Sequence, residues 1–374
     1  MNLMDDRLLT GASEKSLYRK KARARTSRLL HEMPQQVLKA IEGHFRNPEQ
    51  SPSSKIMAAA LSGMLSEYTG LPESTIRIFA GRAAIFDAIV DTFLRPHNKA
   101  LIAGPIDNYF EKQAENREAE IKCHYGPSPF SADPDGIVKE ADENTAVVYL
   151  PNPNPLTGVV YSLEEIRFIL EHLPDNMVVV DERYCEYHGF SSAELVRRHS
   201  NLIVIRSLLE GMIHEEYLCT YILSSPANLS DITECNALHG PSSVSQIAAI
   251  ATLKSLDFML RQIDRIRENM ISLSTKLRRF GILCRLTPID RLLVKLADPE
   301  KASDFLNSRD ILTEDISHYH QLENYISLYV GDDSYSESIL QAFEEMPESY
   351  LRTKSVGQSK ITLHRHSETD YGIF

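Results

Sequence analysis

The residues of this chain that could do chemistry gather at the ends of short apolar runs. Val178-Val179-Val180 runs into Asp181-Glu182-Arg183-Tyr184, and Leu202-Ile203-Val204-Ile205 runs into Arg206-Ser207-Leu208-Leu209-Glu210-Gly211. His214, Glu215 and Glu216 follow closely. Carboxylates that share a cleft repel one another, so each needs a proton, a cation or a ligand. Arg183 and Arg206 are the cations at hand. Two readings stay open from these residues. The cleft binds a cation, either an amine or guanidinium substrate or a divalent metal on Asp107, Asp181, Glu210 and His214. Alternatively, the cluster is an inert ion-pair network. The spacing matches no metal motif, so the metal itself stays unknown. If the pocket works, Glu210 and Asp181 act together, as carboxylates at neighbouring strand ends facing one cavity.

The surrounding pattern sets where these groups stand. Residues 35–69 carry apolar residues at helical spacing, interrupted by a loop of Asn, Pro and Ser near 47–54. From about 75 to 225 short apolar strands alternate with helices. Strands are expected at 75–79, 100–103, 146–150, 177–181, 202–206 and 219–223, and helices at 82–94, 107–117, 162–173 and 191–198. That alternation predicts a mainly parallel sheet covered on both faces, with ligands at the carboxyl ends of its strands. Ser242 to Met270 reads as one long amphipathic helix. Residues 272–345 alternate helix and strand again, as a small C-terminal domain, and a polar tail follows.

Three blocks carry a family resemblance: Asn152-Pro153-Asn154-Pro155-Leu156-Thr157-Gly158, then Val179-Val180-Asp181-Glu182-Arg183-Tyr184, then Arg206 to Gly211. In this order and at these spacings they resemble the pyridoxal-phosphate aminotransferases of fold type I, most closely the histidinol-phosphate aminotransferase group. The resemblance implies an α/β fold with a large domain on a mainly parallel seven-stranded sheet and a small C-terminal α/β domain. The resemblance covers roughly residues 30–345 and implies a segment at 31–70 joining the small domain, a large domain at 71–250, and an interdomain helix and small domain at 251–346; a basic arm at 1–30 precedes these, and a polar tail at 347–374 without counterpart in the family follows. It also implies a homodimer, because such sites are built at a subunit interface.

The resemblance also tells which residues hold the cofactor. Asp181 matches the partner of the pyridine nitrogen, and Tyr184 the tyrosine that bonds the phenolic oxygen. The lysine whose amine bonds the cofactor covalently falls on Glu210, and no lysine occurs between Ala141 and Leu253. The phosphate arginine falls on Leu218, and the stacking ring on Asp107. The asparagine position falls on Pro155, with Asn154 beside it. The arginine that grips the substrate's carboxylate falls on Ser327, and the tyrosine that reaches the neighbouring subunit on Asn47. The phosphate turn is reduced to Gly81-Arg82 at a helix start. The expectation is therefore that no cofactor binds, with pyridoxal or pyridoxamine phosphate kept as an alternative. Glu210, Asp181, Tyr184 and His214 are the catalytic candidates, and Asp107, Arg206 and Asn154 the substrate-binding ones. The function expected is a cofactor-independent enzyme on a small amine or amino-acid-like substrate in a specialised biosynthetic pathway. The alternatives are a non-catalytic dimeric scaffold and a lysine-less enzyme that uses pyridoxal or pyridoxamine phosphate.

Composition bounds the rest. With 374 residues, 43% of them hydrophobic and 25% charged, the chain can bury a full core. A net charge of −12 argues against a general nucleic-acid binder. Seven basic residues between Lys15 and Arg28 break that trend, as a solvated arm. Five cysteines without paired spacing read as free thiols. No apolar run suits a signal peptide or a membrane span, so a cytoplasmic protein without membrane contact is expected.

Overall fold

The structure is a computed structural model, and it describes residues 33–351 except 48–51, 107, 209, 211–218 and 236–239. The basic arm and the tail beyond 351 lie outside the described residues. The first helices among the described residues are α1 (Gln35–Arg46) and α2 (Ser54–Thr69). The sheet region runs β1 (Ile76–Phe79), α3 (Arg82–Phe93), β2 (Lys99–Ala103), α4 (Asn108–Glu115), β3 (Glu120–His124), α5 (Pro134–Glu140), β4 (Thr145–Pro151), α6 (Leu163–His172), β5 (Met177–Asp181), α7 (Cys185–His188), β6 (Leu202–Ser207) and β7 (Thr220–Ser224).

These strands form a seven-stranded sheet in the order β1-β7-β6-β5-β4-β2-β3. β7 pairs antiparallel with both β1 and β6, and the remaining pairings are parallel. Parallel strands buried on both faces need apolar side chains on both, and β5 supplies them as Val178, Val179 and Val180. Val178 and Val180 join Leu101, Val148, Leu150 and Val204 under one helical layer. Val179 joins Ile102, Tyr149, Ile203, Ile205 and Phe86 under the other. Each such side chain removed from water contributes ~1.5–3 kcal/mol, so the strand order is held by its own residues. The capping box of Ser162 and Glu165 starts α6 where the sequence turns from Tyr161 back over the sheet.

After α8 (Pro226–Cys235) come α9 (Ser243–Leu253) and α10 (Leu256–Arg279). The single long helix expected over Ser242–Met270 is thus two. Ser255 leaves helical geometry at φ −113° and ψ 17°, and its hydroxyl bonds Ala251 O at 2.9 Å and Gln36 Oε1 at 2.6 Å. The apolar period passes through this break unchanged, so periodicity alone did not reveal it. Strand β3 was also missed. It is an edge strand with β2 as its one partner, and its Glu120, Lys122 and His124 give no apolar run.

The last part holds β8 (Leu283–Leu286), β9 (Arg291–Lys295), α11 (Pro299–Asn307), β10 (Thr313–Asp315), β11 (Tyr325–Tyr329) and α12 (Asp333–Glu345). Its four strands form an antiparallel sheet ordered β10-β11-β9-β8. One face, with Leu292, Val294, Ile326 and Leu328, packs on α10 through Met259, Ile263, Ile266, Met270, Leu273 and Leu277. The other face turns toward the large sheet, and Leu293 meets Leu156 there. Gly158 lets the two parts approach closely. Its φ is +72°, and a Cβ there would stand 2.9 Å from Thr287 Cβ.

Candidate functional site

The carboxyl ends of β4, β5 and β6 lie side by side, with Pro151 opposite Asp181 and Asp181 opposite Ile205. Asp181 therefore stands at the centre of the sheet, 4% exposed. It accepts from the Tyr149 hydroxyl on β4. Arg183, two residues on, folds back onto it: Nε lies 2.8 Å from Oδ1 and 2.9 Å from Oδ2, and Nη2 lies 2.8 Å from Oδ2. The same guanidinium reaches Glu210, with Nη1 3.8 Å from Oε1, and lies 5.8 Å from the Phe86 ring centroid. Burial would lower the Arg183 pKa, but the Asp181 and Glu210 carboxylates outweigh burial and hold it well above the ordinary arginine value. The structure thus joins Asp181 and Glu210 through one shared, buried cation.

Tyr184 closes the cleft toward the small sheet. Arg291 of β9 donates to its hydroxyl at 3.2 Å and lies 4.4 Å from the Tyr329 ring centroid. Burial pushes the Tyr184 hydroxyl up, Arg291 opposes this, and Glu210 adds to it, so the phenol stays protonated and able to donate. Arg291 escaped the sequence reading. Nothing in the local pattern marks a strand arginine that meets a tyrosine 107 residues away. Tyr149 escaped it for the same reason.

Other candidates fall elsewhere. Arg206 alternates onto the face of Val204 and Tyr221, opposite Asp181, because side chains alternate along a strand. There it donates to Ser191 Oγ at 2.9 Å and lies 3.8 Å from Glu182. Glu182 also leaves the cleft: its carboxylate accepts from Ser192 N and Ser192 Oγ, each at 2.6 Å. Among the described residues Glu182 is turned away from the cleft and Arg183 sits inside it. Asn154 braces its own turn, donating to Pro105 O at 2.9 Å and accepting from Leu156 N and Thr157 N at 2.9 and 3.1 Å. Asp107, His214 and Leu218 lie outside the described residues, as do Glu215 and Glu216. Among the described residues no group of three or more His, Cys, Asp or Glu side chains is placed to hold a metal. No helix among them is long and apolar enough to cross a membrane.

At the end of β1, Gly81 caps α3 with φ 89°. A Cβ on it would meet nothing within 4 Å, so there is open space beside this residue. Backbone N–H groups and helix dipole at a helix amino end are able to attract an anion. Arg82 follows, with its guanidinium 5.9 Å from the Tyr109 ring centroid.

His188, at the end of α7, carries a clear pH signature. Burial lowers its pKa from 6.5 to about 4. The folded state therefore favours the neutral ring. This stability is complete above pH ~6.5 and is lost as pH falls toward 4. With solvent screening, His188→Gln is expected to remove an acid-limb loss of ~2 kcal/mol, read by urea unfolding at pH 7 and pH 4.5. An unchanged limb would assign acid sensitivity to other groups.

The sequence matches the model of aminotransferase class I and II over residues 28–321. A dihydroxyacetone phosphate transaminase of Campylobacter jejuni is 30% identical over 207 residues, which cover 54% of this chain and 56% of that protein. Histidinol-phosphate aminotransferase 2 of Archaeoglobus fulgidus is 29% identical over 290 residues, covering 77% of this chain and 82% of that protein. The fold matches fold type I aminotransferases. The crystal structure of histidinol-phosphate aminotransferase from Sinorhizobium meliloti in complex with pyridoxal-5'-phosphate superposes with a TM-score of 0.73 at 18% identity, covering 83% of this chain and 86% of that chain. These findings overturn the expectation that no cofactor binds, and they point to pyridoxal phosphate instead. That expectation added up single lost contacts. It gave too little weight to the family relationship over most of the chain.

Proposed function

Because the chain belongs to the aminotransferase class I and II family, we propose that its cleft takes pyridoxal or pyridoxamine phosphate and holds it without a lysine bond. The residues fit that group in part. Asp181 would keep the ring nitrogen protonated, Tyr184 would donate to the phenolic oxygen, and the α3 amino end at Gly81-Arg82 would take the phosphate. When bound, such a group acts as an electron sink for charge developing beside the substrate nitrogen. The amine does not fit, since no lysine lies between residues 141 and 253. Glu210 stands in its place, and its carboxylate, with Arg183 beside it, is the group able to take and return a proton. His214 is the second candidate for that role. The substrate in this reading is a small molecule with an amino or carbonyl group, worked on by a homodimer in a specialised biosynthetic route.

The observation that carries the reading is the buried Asp181 carboxylate with Tyr149 and Arg183 on it. Buried carboxylates are kept charged only where something needs the charge or balances it. The test is absorbance between roughly 320 and 430 nm with added pyridoxal or pyridoxamine phosphate, since a bound chromophore reports its own environment. The expected result is a saturable spectral change that reverses on dialysis, with no borohydride-fixed label in residues 141–253. If neither compound changes the spectrum, the Asp181–Arg183–Glu210 cluster is an ion network that fills the cleft, and the proposal fails.

A further inference from the structure

The Asp181 carboxylate, which the cleft would offer to a pyridine nitrogen, is already in use. Oδ1 accepts from Arg183 N at 3.2 Å and from Arg183 Nε at 2.8 Å. Oδ2 accepts from the Tyr149 hydroxyl, from Arg183 Nε at 2.9 Å and from Arg183 Nη2 at 2.8 Å. A carboxylate has about four lone-pair sites, so these bonds leave none for a further donor. Three of the five contacts come from the guanidinium. Without them, the Arg183 backbone N–H and the Tyr149 hydroxyl would still hold the carboxylate, one on each oxygen. Each oxygen would then have a lone pair free.

The guanidinium has a second anion within reach. Its Nη1 lies 3.8 Å from Glu210 Oε1, and a shift of about 1 Å would turn that approach into a hydrogen bond. Arg183 is 5% exposed, and Asp181 and Glu210 are each 4% exposed. One positive charge thus serves two carboxylates where water is scarce, and a second cation would balance the cluster. We propose that Arg183 is a gate on Asp181. Its guanidinium must leave Asp181 and pair with Glu210 before the carboxylate can accept from a pyridine N–H. The inference rests on the reading of the cleft given above and adds that binding there works against an internal competitor. The affinity of the wild-type chain is lowered by the fraction of molecules in which Asp181 is released.

The experiment is absorbance titration of the full chain with pyridoxal phosphate and with pyridoxamine phosphate. Arg183→Ala is expected to bind at least one of them about tenfold more tightly than wild type, while urea unfolding finds it less stable without ligand. A purely structural arginine would not move affinity and stability in opposite directions. Asp181→Asn added to Arg183→Ala should cancel the gain, because the gain acts through that carboxylate. Glu210→Gln with the arginine kept should weaken binding about tenfold, since the released guanidinium loses its second anion. That variant decides the matter if Arg183→Ala does not fold. Arg183→Ala binding no more tightly than wild type overturns the gate and leaves the reading of the cleft standing, as does wild-type affinity in Glu210→Gln. A gain that survives Asp181→Asn also overturns the gate, since it would come from added space alone. No spectral change in the wild type or any variant overturns both.

Discussion

Arg183→Met is expected to destabilise the protein by about 3–5 kcal/mol at pH 7, the cost of removing one member of a buried ion cluster. The reason is geometric. The guanidinium meets both oxygens of Asp181 and lies 3.8 Å from Glu210. Methionine fills the volume beside Phe86 but leaves two buried carboxylates facing each other. The pH dependence separates this from simple loss of packing. Unpaired buried carboxylates have raised folded-state pKa values, so the penalty applies above their unfolded values near 4 and shrinks as pH falls through that range. Urea unfolding of both proteins at pH 7.5 and pH 4.5 checks it. A penalty equal at both pH values would show that Arg183 acts by packing alone.

Glu210→Lys, which puts a lysine where the resemblance places the catalytic one, is expected to give no robust transamination and to cost ~2–4 kcal/mol at pH 7. It removes one counterion of Arg183 and sets an ammonium beside a buried guanidinium. Such an ammonium has its pKa depressed in the folded state, so the cost persists below the unfolded value near ~10 and is relieved as pH rises through that range. The chemistry is not rescued either. Leu218, Asp107 and Ser327 stand where the resemblance places the phosphate arginine, the stacking ring and the carboxylate arginine. Glu210→Gln is the control, since it removes charge with little change in volume. Transamination by the lysine variant at rates typical of enzymes, about 1 s⁻¹ or more, would show that those positions were misaligned.

By itself the sequence determined the strand and helix order, because a run such as Val178-Val179-Val180 is satisfied only between two covered faces. It also placed Asp181 and Glu210 beyond neighbouring strand ends, since parallel neighbours in a doubly covered sheet bring their carboxyl ends together, and Arg183 reaches both. That residues 141–253 hold no lysine is a matter of composition and needs no structure. Edge strand β3 and the break at Ser255 were hidden, because one is polar and the other leaves the apolar period intact. Only the tertiary structure decided where the charges beyond the strand ends point. Glu182 and Asp181 are adjacent in sequence, yet one turns back to Ser192 and the other faces the cleft. Arg206 and Arg183 looked interchangeable as partners, but strand alternation sends Arg206 to the opposite face. Arg291 and Tyr149 owe their places to register and packing between distant segments. Side-chain direction past a strand end depends on turn geometry and on long-range neighbours, and neither is written in local residue order.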